Sequence, residues 1–578
     1  MPRYWFVGDT TGLAAAPIAS GDMLVPLDGF AQEALGDRGL SVPSLREWES
    51  TAVLDVLADF DALIGSLSDG RSSRDWLSYR GHDLSGALAR PDQAFLGLPR
   101  QRLAHRIASQ LAPRGEVRGW GVNRFQLAGI RAAVGSRLVD GAGPAPSPVA
   151  RGRGIGPRLR ALGEAIRPRS GRAATRGGTD ILYLGLEAHV VRQQERVLEA
   201  LATEYSIEAV LPLREPWAWP ADVSFQPERL WPLSSYLDAR SVARLLDALR
   251  RTAALPDARA LRVPSWMAVE ECRRWIRREW WRGAVFAEAL GVALENHRPR
   301  LLIGTNLFSQ AGKVTTAVCE SAGVPALGLP SGADQMIPPH VTASDIRGAT
   351  YAVCGSALRD RLVAGGAPAD RLAVCGLPEL DSLEPLSGSG RQALFERHGL
   401  DPGRPLVTFF SSPSLESDQL IFPKQAKLAA LDSLISCRER AGVELLVKLH
   451  PRETDGVIAE HLASRGLELP VSTDPLPEAM AASDVVASLA SAVTFTALLL
   501  DKPALLLHFE RSPLLSEVFR FTGAGIAPAS PGEVPAAIER ALSGAARQDN
   551  RAFVRDWLAG GDGRASERIV ALAKRLLG

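Results

Sequence analysis

Cysteine is scarce: five residues in 578, none in a Cys-x-x-Cys spacing. That excludes a disulfide framework or a zinc ribbon and fits a reducing compartment. Cys354 and Cys375 lie in short apolar runs and read as buried strand residues, not nucleophiles; Cys272, Cys319 and Cys437 carry no motif. No apolar stretch reaches the ~20 residues that cross a bilayer. The opening MPRYWFVGDTTG has too short an apolar run before Asp9 to read as a secretory leader. Excess charge is missing too. Sixty-six basic against 65 acidic residues leave a net +1, with no global pull toward nucleic acid and no DNA-reading helix in view. What is present is ordinary globular composition, 46% apolar and 23% charged. The length suggests about three domains, each able to bury a core.

Residues 1–145 open on a strand-like YWFV followed by Gly8-Asp9-Thr10-Thr11-Gly12, with a second strand-like run at 62–65. They read as a small α/β or mostly helical accessory domain. Residues 146–178 read as a linker rich in Arg, Gly and Pro. Arg151, Arg153, Arg158, Arg160, Arg167, Arg169, Arg172 and Arg176 face a single acid, Glu164. Such a segment cannot bury a core. It is a solvated tether or a contact for an anionic surface, phospholipid or polyanionic acceptor.

From Thr179 short apolar strands alternate with helical stretches. Strands are expected at 180–185, 209–211, 301–304, 326–329, 351–354 and 372–374, with a helix at 191–203. This alternation predicts a parallel sheet covered on both faces over 179–385. Residues 381–391 form a polar break. The pattern then restarts over 386–578, with strands at 405–410, 444–449, 484–487 and 503–507 and a helix at 425–441. Two doubly wound units in series imply ligand sites at the carboxyl ends of their strands.

At those ends the strongest signal is Lys448-Leu449-His450-Pro451-Arg452-Glu453. Proline cannot continue a ladder, so His450 is held at the rim, next to Arg452. There it can donate to a phosphate oxygen or titrate near neutral pH, or simply cap a backbone group. Downstream, the strand at 484–487 runs into a Ser-rich turn that opens a helix, bearing Ser488, Ser491 and Thr494. Helix starts bind phosphate through free N–H groups; Ser491 serves equally as an N-cap.

Strand–His-Pro followed by strand–Ser-x-x-Ser–helix–Lys502-Pro503 resembles the donor domain of bacterial GT-B glycosyltransferases. The likeness is to capsule polysaccharide, sialyl- and polysialyltransferases and CDP-glycerol glycerophosphotransferases, and it covers residues 179–578. The run from Gly323 through Pro330-Ser331-Gly332, Gly355 and Gly366 to Cys375-Gly376-Leu377-Pro378 follows that group's first half. The tail from Arg551 to Arg568 resembles its closing helices. The resemblance implies a GT-B fold of two facing Rossmann-like domains. It implies a CMP- or UDP-linked sugar donor, with no cofactor and no metal, and a glycan, glycolipid or protein acceptor. Donor phosphates fall to His450, Pro451, Arg452, Ser488, Ser491 and Thr494. Relatives often place an acid after the Ser-rich turn to hold the ribose; here Thr494 and Thr496 stand nearby, which leaves Glu510 for that role. Many relatives carry histidine where this chain has Ser331. The base for the acceptor hydroxyl is then sought at Asp334 first, His189 next, and His340, with Glu187 nearby and Asn306 positioning substrate.

Residues 273–282, RRWIRREWWR, combine Arg and Trp. They are a peripheral membrane or polyanion contact, or a helix packing Trp275 and Ile276 inward. Trp217 and Trp219 form a second aromatic cluster. The reading is a cytoplasmic enzyme, with peripheral contact at the inner membrane face through 273–282 and the linker. Two alternatives stay open: a UDP-sugar 2-epimerase-like enzyme and a catalytically degenerate GT-B scaffold.

Overall fold

The structure is a computed structural model. It describes residues 3–7, 18–19, 21–27, 35, 59, 62–63, 78–80, 82–83, 98–120, 122, 124–134, 139–140, 178–185, 188–211, 219–220, 223–252, 263–265, 267, 269–330, 343, 346–381, 388–412, 424–451, 453, 456–489, 491, 493–507, 509, 525–545 and 547–578.

The N-terminal region holds β1 (Arg3–Val7), β2 (Met23–Pro26), the short hairpin β3 (Ser78–Tyr79) and β4 (His82–Asp83), α1 (Leu98–Leu111), β5 (Glu116–Trp120), α2 (Arg124–Val134) and β6 (Val139–Asp140). Four of these strands form a parallel sheet in the order β2-β1-β5-β6, so the region is α/β. Tyr4, Phe6 and Val117 on one face pack with Leu103, Ile107 and Ile130 from the two helices. The strand expected at 62–65 is helical at Ala62 and Leu63. The hairpin reaches into the next unit, where Tyr79 OH donates to Glu288 Oε2 at 2.7 Å.

The second unit comprises β7 (Ile181–Leu184), α3 (Ala188–Ala202), β8 (Ile207–Leu211), β9 (Arg229–Pro232), α4 (Ala239–Thr252), α5 (Val269–His297), β10 (Leu301–Thr305), α6 (Gln310–Ala322), β11 (Ala326–Leu329), β12 (Thr350–Val353), α7 (Ser356–Ala364) and β13 (Leu372–Val374). All seven strands are parallel, in the order β13-β12-β11-β10-β7-β8-β9. Winding starts in the middle at β7, runs to one edge, then resumes beside β7 at β10. This is the Rossmann arrangement, with its switch point between β7 and β10. Every residue of β7, β8, β10 and β11 is buried, as strands covered on both faces must be.

The third unit contains α8 (Gly388–His398), β14 (Leu406–Phe410), α9 (Lys424–Ala441), β15 (Glu444–Lys448), α10 (Val457–Ser464), β16 (Val471–Ser472), α11 (Leu476–Ala482), β17 (Val485–Ser488), α12 (Val493–Leu499), β18 (Ala504–Leu506) and α13 (Val534–Leu542). Its parallel sheet has the order β16-β15-β14-β17-β18, with the switch point between β14 and β17. The polar break ends sooner than its composition suggests, because Gly388–Arg391 already belong to α8.

Two helices close the chain, α14 (Arg547–Trp557) and α15 (Ala565–Leu577). Phe553 of α14 stacks on Phe495 of α12 at 5.6 Å between ring centroids. The same helix abuts the second unit so closely that a Cβ on Gly355 would lie 2.4 Å from the Trp557 carbonyl. α15 returns to the second unit, burying Ile569, Leu572, Ala573 and Leu577 beside Ile181, Tyr183 and Val197. Two Rossmann-like units in series are the fold class expected from the sequence; the return of the final helix to the second unit lies outside that expectation.

All five cysteines are buried and none is in a disulfide. Burial pushes the Cys319 and Cys354 thiols up to about 12 and Cys375 to about 11. The Arg/Trp segment lies in the 29-residue α5. Trp275, Ile276 and Trp280 face inward, and Arg282 pairs with the buried Glu279 at 2.9 Å. Of this segment Arg277 and Arg282 are exposed. Among the described residues no helix is long and apolar enough to cross a membrane.

Candidate functional site

The third unit gathers its polar side chains at the carboxyl ends of its three central strands. β14 ends in Ser411-Ser412, β15 in Leu449-His450-Pro451, and β17 in Ser488-Leu489. β14 and β17 flank the switch point, so the crevice that such sheets use for ligands opens between Ser411 and Ser488. His450 stands one strand away.

The His-Pro turn is built on a buried ion pair. Lys427, in the first turns of α9, is 1% exposed, and its Nζ donates to Glu453 Oε1 at 2.7 Å. The other Glu453 oxygen accepts from Ser411 Oγ and lies 3.4 Å from the His450 amide nitrogen. Glu453 N donates to His450 O at 2.8 Å, closing the turn. The backbone completes the join: Ser411 N donates to Lys448 O at 3.0 Å. Lys448 is buried as well, its Nζ donating to Leu449 O at 2.6 Å. Desolvation lowers its pKa, while Asp474 and Glu453 oppose that shift.

On the far side of the switch point Ser488 and Thr494 face each other. Their hydroxyls are 3.2 Å apart, and the residues are 1% and 0% exposed. Ser491 is half-buried and accepts from Val493 N at 3.4 Å, while its carbonyl accepts from Thr494 N at 3.0 Å. The structure thus brings His450, Pro451, Ser488, Ser491 and Thr494 to one rim. It leaves Ser491 as the more open of the three hydroxyls. Arg452 and Glu510 lie outside the described residues.

Sequence reasoning missed Ser411, Ser412 and Lys427, and gave Glu453 of the His-Pro motif no role of its own. The serine pair had a signal, since FFSS is a strand running into hydroxyls. Lys427 had none, because its partner lies 26 positions away.

In the second unit the corresponding rim is the ends of β7 and β10. Asn306 follows β10 in the left-handed region, φ 50°, where Asn is tolerated better than most residues. α6 starts just beyond, capped by Ser309, whose Oγ accepts from Gly312 N at 3.1 Å. Gln194 of α3 reaches the end of β11, donating through Nε2 to Pro330 O at 2.6 Å. Its Oε1 and the Thr305 hydroxyl are buried with no partner among the described residues. His189 lies in the first turn of α3, its side chain outside the description. Glu187, Ser331, Asp334 and His340 fall outside the described residues altogether. Among the described residues no cluster of His, Cys, Asp and Glu is suited to a metal ion.

A cavity of about 550 Å³ lies elsewhere, lined by Asp381, Leu499, Asp501, Lys502, Gly561 and Asp562 among others. Asp501 and Lys502 precede β18, so the cavity sits at the amino ends of the third unit's strands, away from His450. Lys502 is spent there on Ala481 O and Ser483 O, at 2.9 and 2.8 Å.

The fold and rim define a class: an α/β protein of two Rossmann-like units with a polar switch-point crevice in each. No family model matches the chain. It is similar to a lipid-A-disaccharide synthase from Geobacter metallireducens, 32% identical over 145 residues, covering 25% of this chain and 35% of that protein. The synthase from Geobacter sulfurreducens is 28% identical over 225 residues, covering 35% and 56%. The chain therefore spans about a third to just over half of these curated relatives. Both are synthases of lipid A disaccharide, not members of the capsule, sialyl- or glycerophosphotransferase groups whose motif order it resembles. Among solved structures, UDP-GlcNAc 2-epimerase from Neisseria meningitidis bound to UDP-GlcNAc aligns with TM-score 0.42 and 11% identity, over 68% of this chain and 100% of that one.

Proposed function

We propose that the protein is a GT-B glycosyltransferase that moves a sugar from a CMP- or UDP-linked donor onto a glycan, glycolipid or protein acceptor. The observation that carries this reading is the third unit's rim. Ser491 follows a strand that flanks the switch point, and His450 ends the strand one place away, on the rim where a Rossmann sheet takes a nucleotide. An imidazole and hydroxyls supply donors for phosphate oxygens without a metal. The similarity to lipid-A-disaccharide synthases supports the reaction class and favours a glycolipid among the acceptors. On the second unit's rim, Asn306, Gln194 and Thr305 offer polar groups to an acceptor. Asp334, His189 and His340 remain the base candidates, in that order.

Calorimetry with CMP, UDP and GDP, followed by donor hydrolysis with the matching nucleotide sugars in EDTA, tests the proposal. One nucleotide should bind in the micromolar range, and His450→Ala should weaken it at least ~10-fold. Binding of none of the three, or unchanged binding by His450→Ala, would sink the reading. Release of an epimerised sugar without acceptor would assign the epimerase chemistry instead.

A further inference from the structure

The rim rests on a buried ion pair, Lys427 with Glu453. Lys427 is among the largest fully buried side chains of the protein. A buried ion pair is a poor way to gain stability, since apolar residues of similar volume often do as well or better. Its use must therefore be sought in what the pair touches. Glu453 Oε1 belongs to Lys427, at 2.7 Å. Glu453 Oε2 meets Ser411 Oγ and approaches His450 N. One carboxylate thus joins three pieces of chain: the start of α9, the end of β14 and the turn after β15. Ser411 Oγ itself lies 3.4 Å from His450 N, so hydroxyl, amide and carboxylate form one closed set. Lys448 is a second buried amine nearby, under the influence of both the Asp474 and the Glu453 carboxylates.

We propose that Lys427 and Glu453 are positioning residues for the donor phosphates. Lys427 holds Glu453 in place, and Glu453, accepting a hydrogen bond from the Ser411 hydroxyl and facing the His450 amide, sets the His-Pro turn in the orientation that receives phosphate. Neither touches the donor. The inference rests on the reading of His450 as a phosphate contact. It commits to a pyrophosphate- or phosphodiester-linked nucleotide as the ligand, because an orienting shell of this kind serves directed hydrogen bonds to phosphate oxygens.

The test is the paired variant K427M/E453L in the full chain, which removes both charges and keeps most of the volume. Thermal melting and calorimetric titration with UDP and CMP are read side by side. The variant should melt at or above the wild-type temperature, yet bind the preferred nucleotide about 10-fold or more weakly. In donor hydrolysis the loss should fall on KM more than on kcat. A swapped pair, K427E/E453K, guards against a folding failure. It restores an ion pair and should melt near the wild type, but no carboxylate then faces His450 N, so affinity should stay low. Wild-type affinity in either folded variant overturns the positioning role and leaves the phosphate site standing, provided His450→Ala still loses binding. If wild-type protein binds neither nucleotide, the site and the positioning role fall together.

Discussion

The final helix depends on a cap borrowed from far away in sequence. α15 has Arg564 at its N-cap, which makes no capping bond of its own. Asp381, just past the second unit's last strand, does the job. Its Oδ1 accepts from Ala565 N at 3.0 Å and its Oδ2 from Ser566 N at 2.7 Å. Two helix-start N–H groups thus share one carboxylate, which also sits well against the positive end of the helix dipole. Asp381→Ala removes both bonds and should cost about 1–2 kcal/mol of local stability. The apolar anchors of α15 remain, so the fold survives: Ile569 alone, fully buried, is worth about 2–4 kcal/mol against alanine. The loss should therefore show as easier opening of α15, not as global unfolding. Amide hydrogen exchange over residues 565–577 is the assay. Protection there should fall roughly 5- to 30-fold, the factor that 1–2 kcal/mol represents. Protection of β14 and β15 should not change. Unaltered exchange in α15, or an equal loss across the third unit, would refute the idea that Asp381 caps this helix as a local device.

Other outcomes follow from the same kind of reasoning. Burial would raise the Asp474 carboxyl, but bonds from Ser472, His398 and Arg397 outweigh it and hold the group at about 2. A folded pKa below the unfolded value gives stability that is full above about pH 4 and drains away toward pH 2. It amounts to about 1–2 kcal/mol after solvent screening. Urea midpoints of wild type and Asp474→Asn should differ at pH 7 and converge near pH 2; a gap independent of pH would count against it. Gly312 lies inside α6, where alanine normally gains about 1 kcal/mol. Here a Cβ would come within 2.3 Å of Leu307 Cα and 2.6 Å of Asn306 O. Backbone cannot yield as a side chain can, so Gly312→Ala should lower the melting temperature; a rise would mean that the loop after β10 gives way freely.

How far the sequence reached is clearest from particular elements. The central strands β7, β10, β14, β15 and β17 were legible because both faces are covered, which leaves unbroken apolar runs such as ILYL and ELLV. The edge strands β9 and β16 were not. Arg229–Pro232 is half exposed and Val471–Ser472 is two residues long, so neither leaves an apolar run. The Arg/Trp stretch of α5 held two readings until packing turned Trp275 and Trp280 inward.

For the site the division is similar. His450-Pro451 and the Ser-rich turn could be recognised because each is a local grammar, a strand stopped by proline or by helix-start hydroxyls. By itself the sequence determined the α/β class and these strand ends. Strand order was another matter. Only the tertiary structure put the β14 and β17 ends side by side, brought Ser411 to the His450 turn, and set Lys427 under Glu453. It also turned Ser488 and Thr494 toward each other, leaving Ser491 the more open. The physical reason is range: apolar periodicity and turn chemistry act over a few residues. Sheet order, trans caps and buried ion pairs join positions tens to hundreds apart, which meet only once the core has closed.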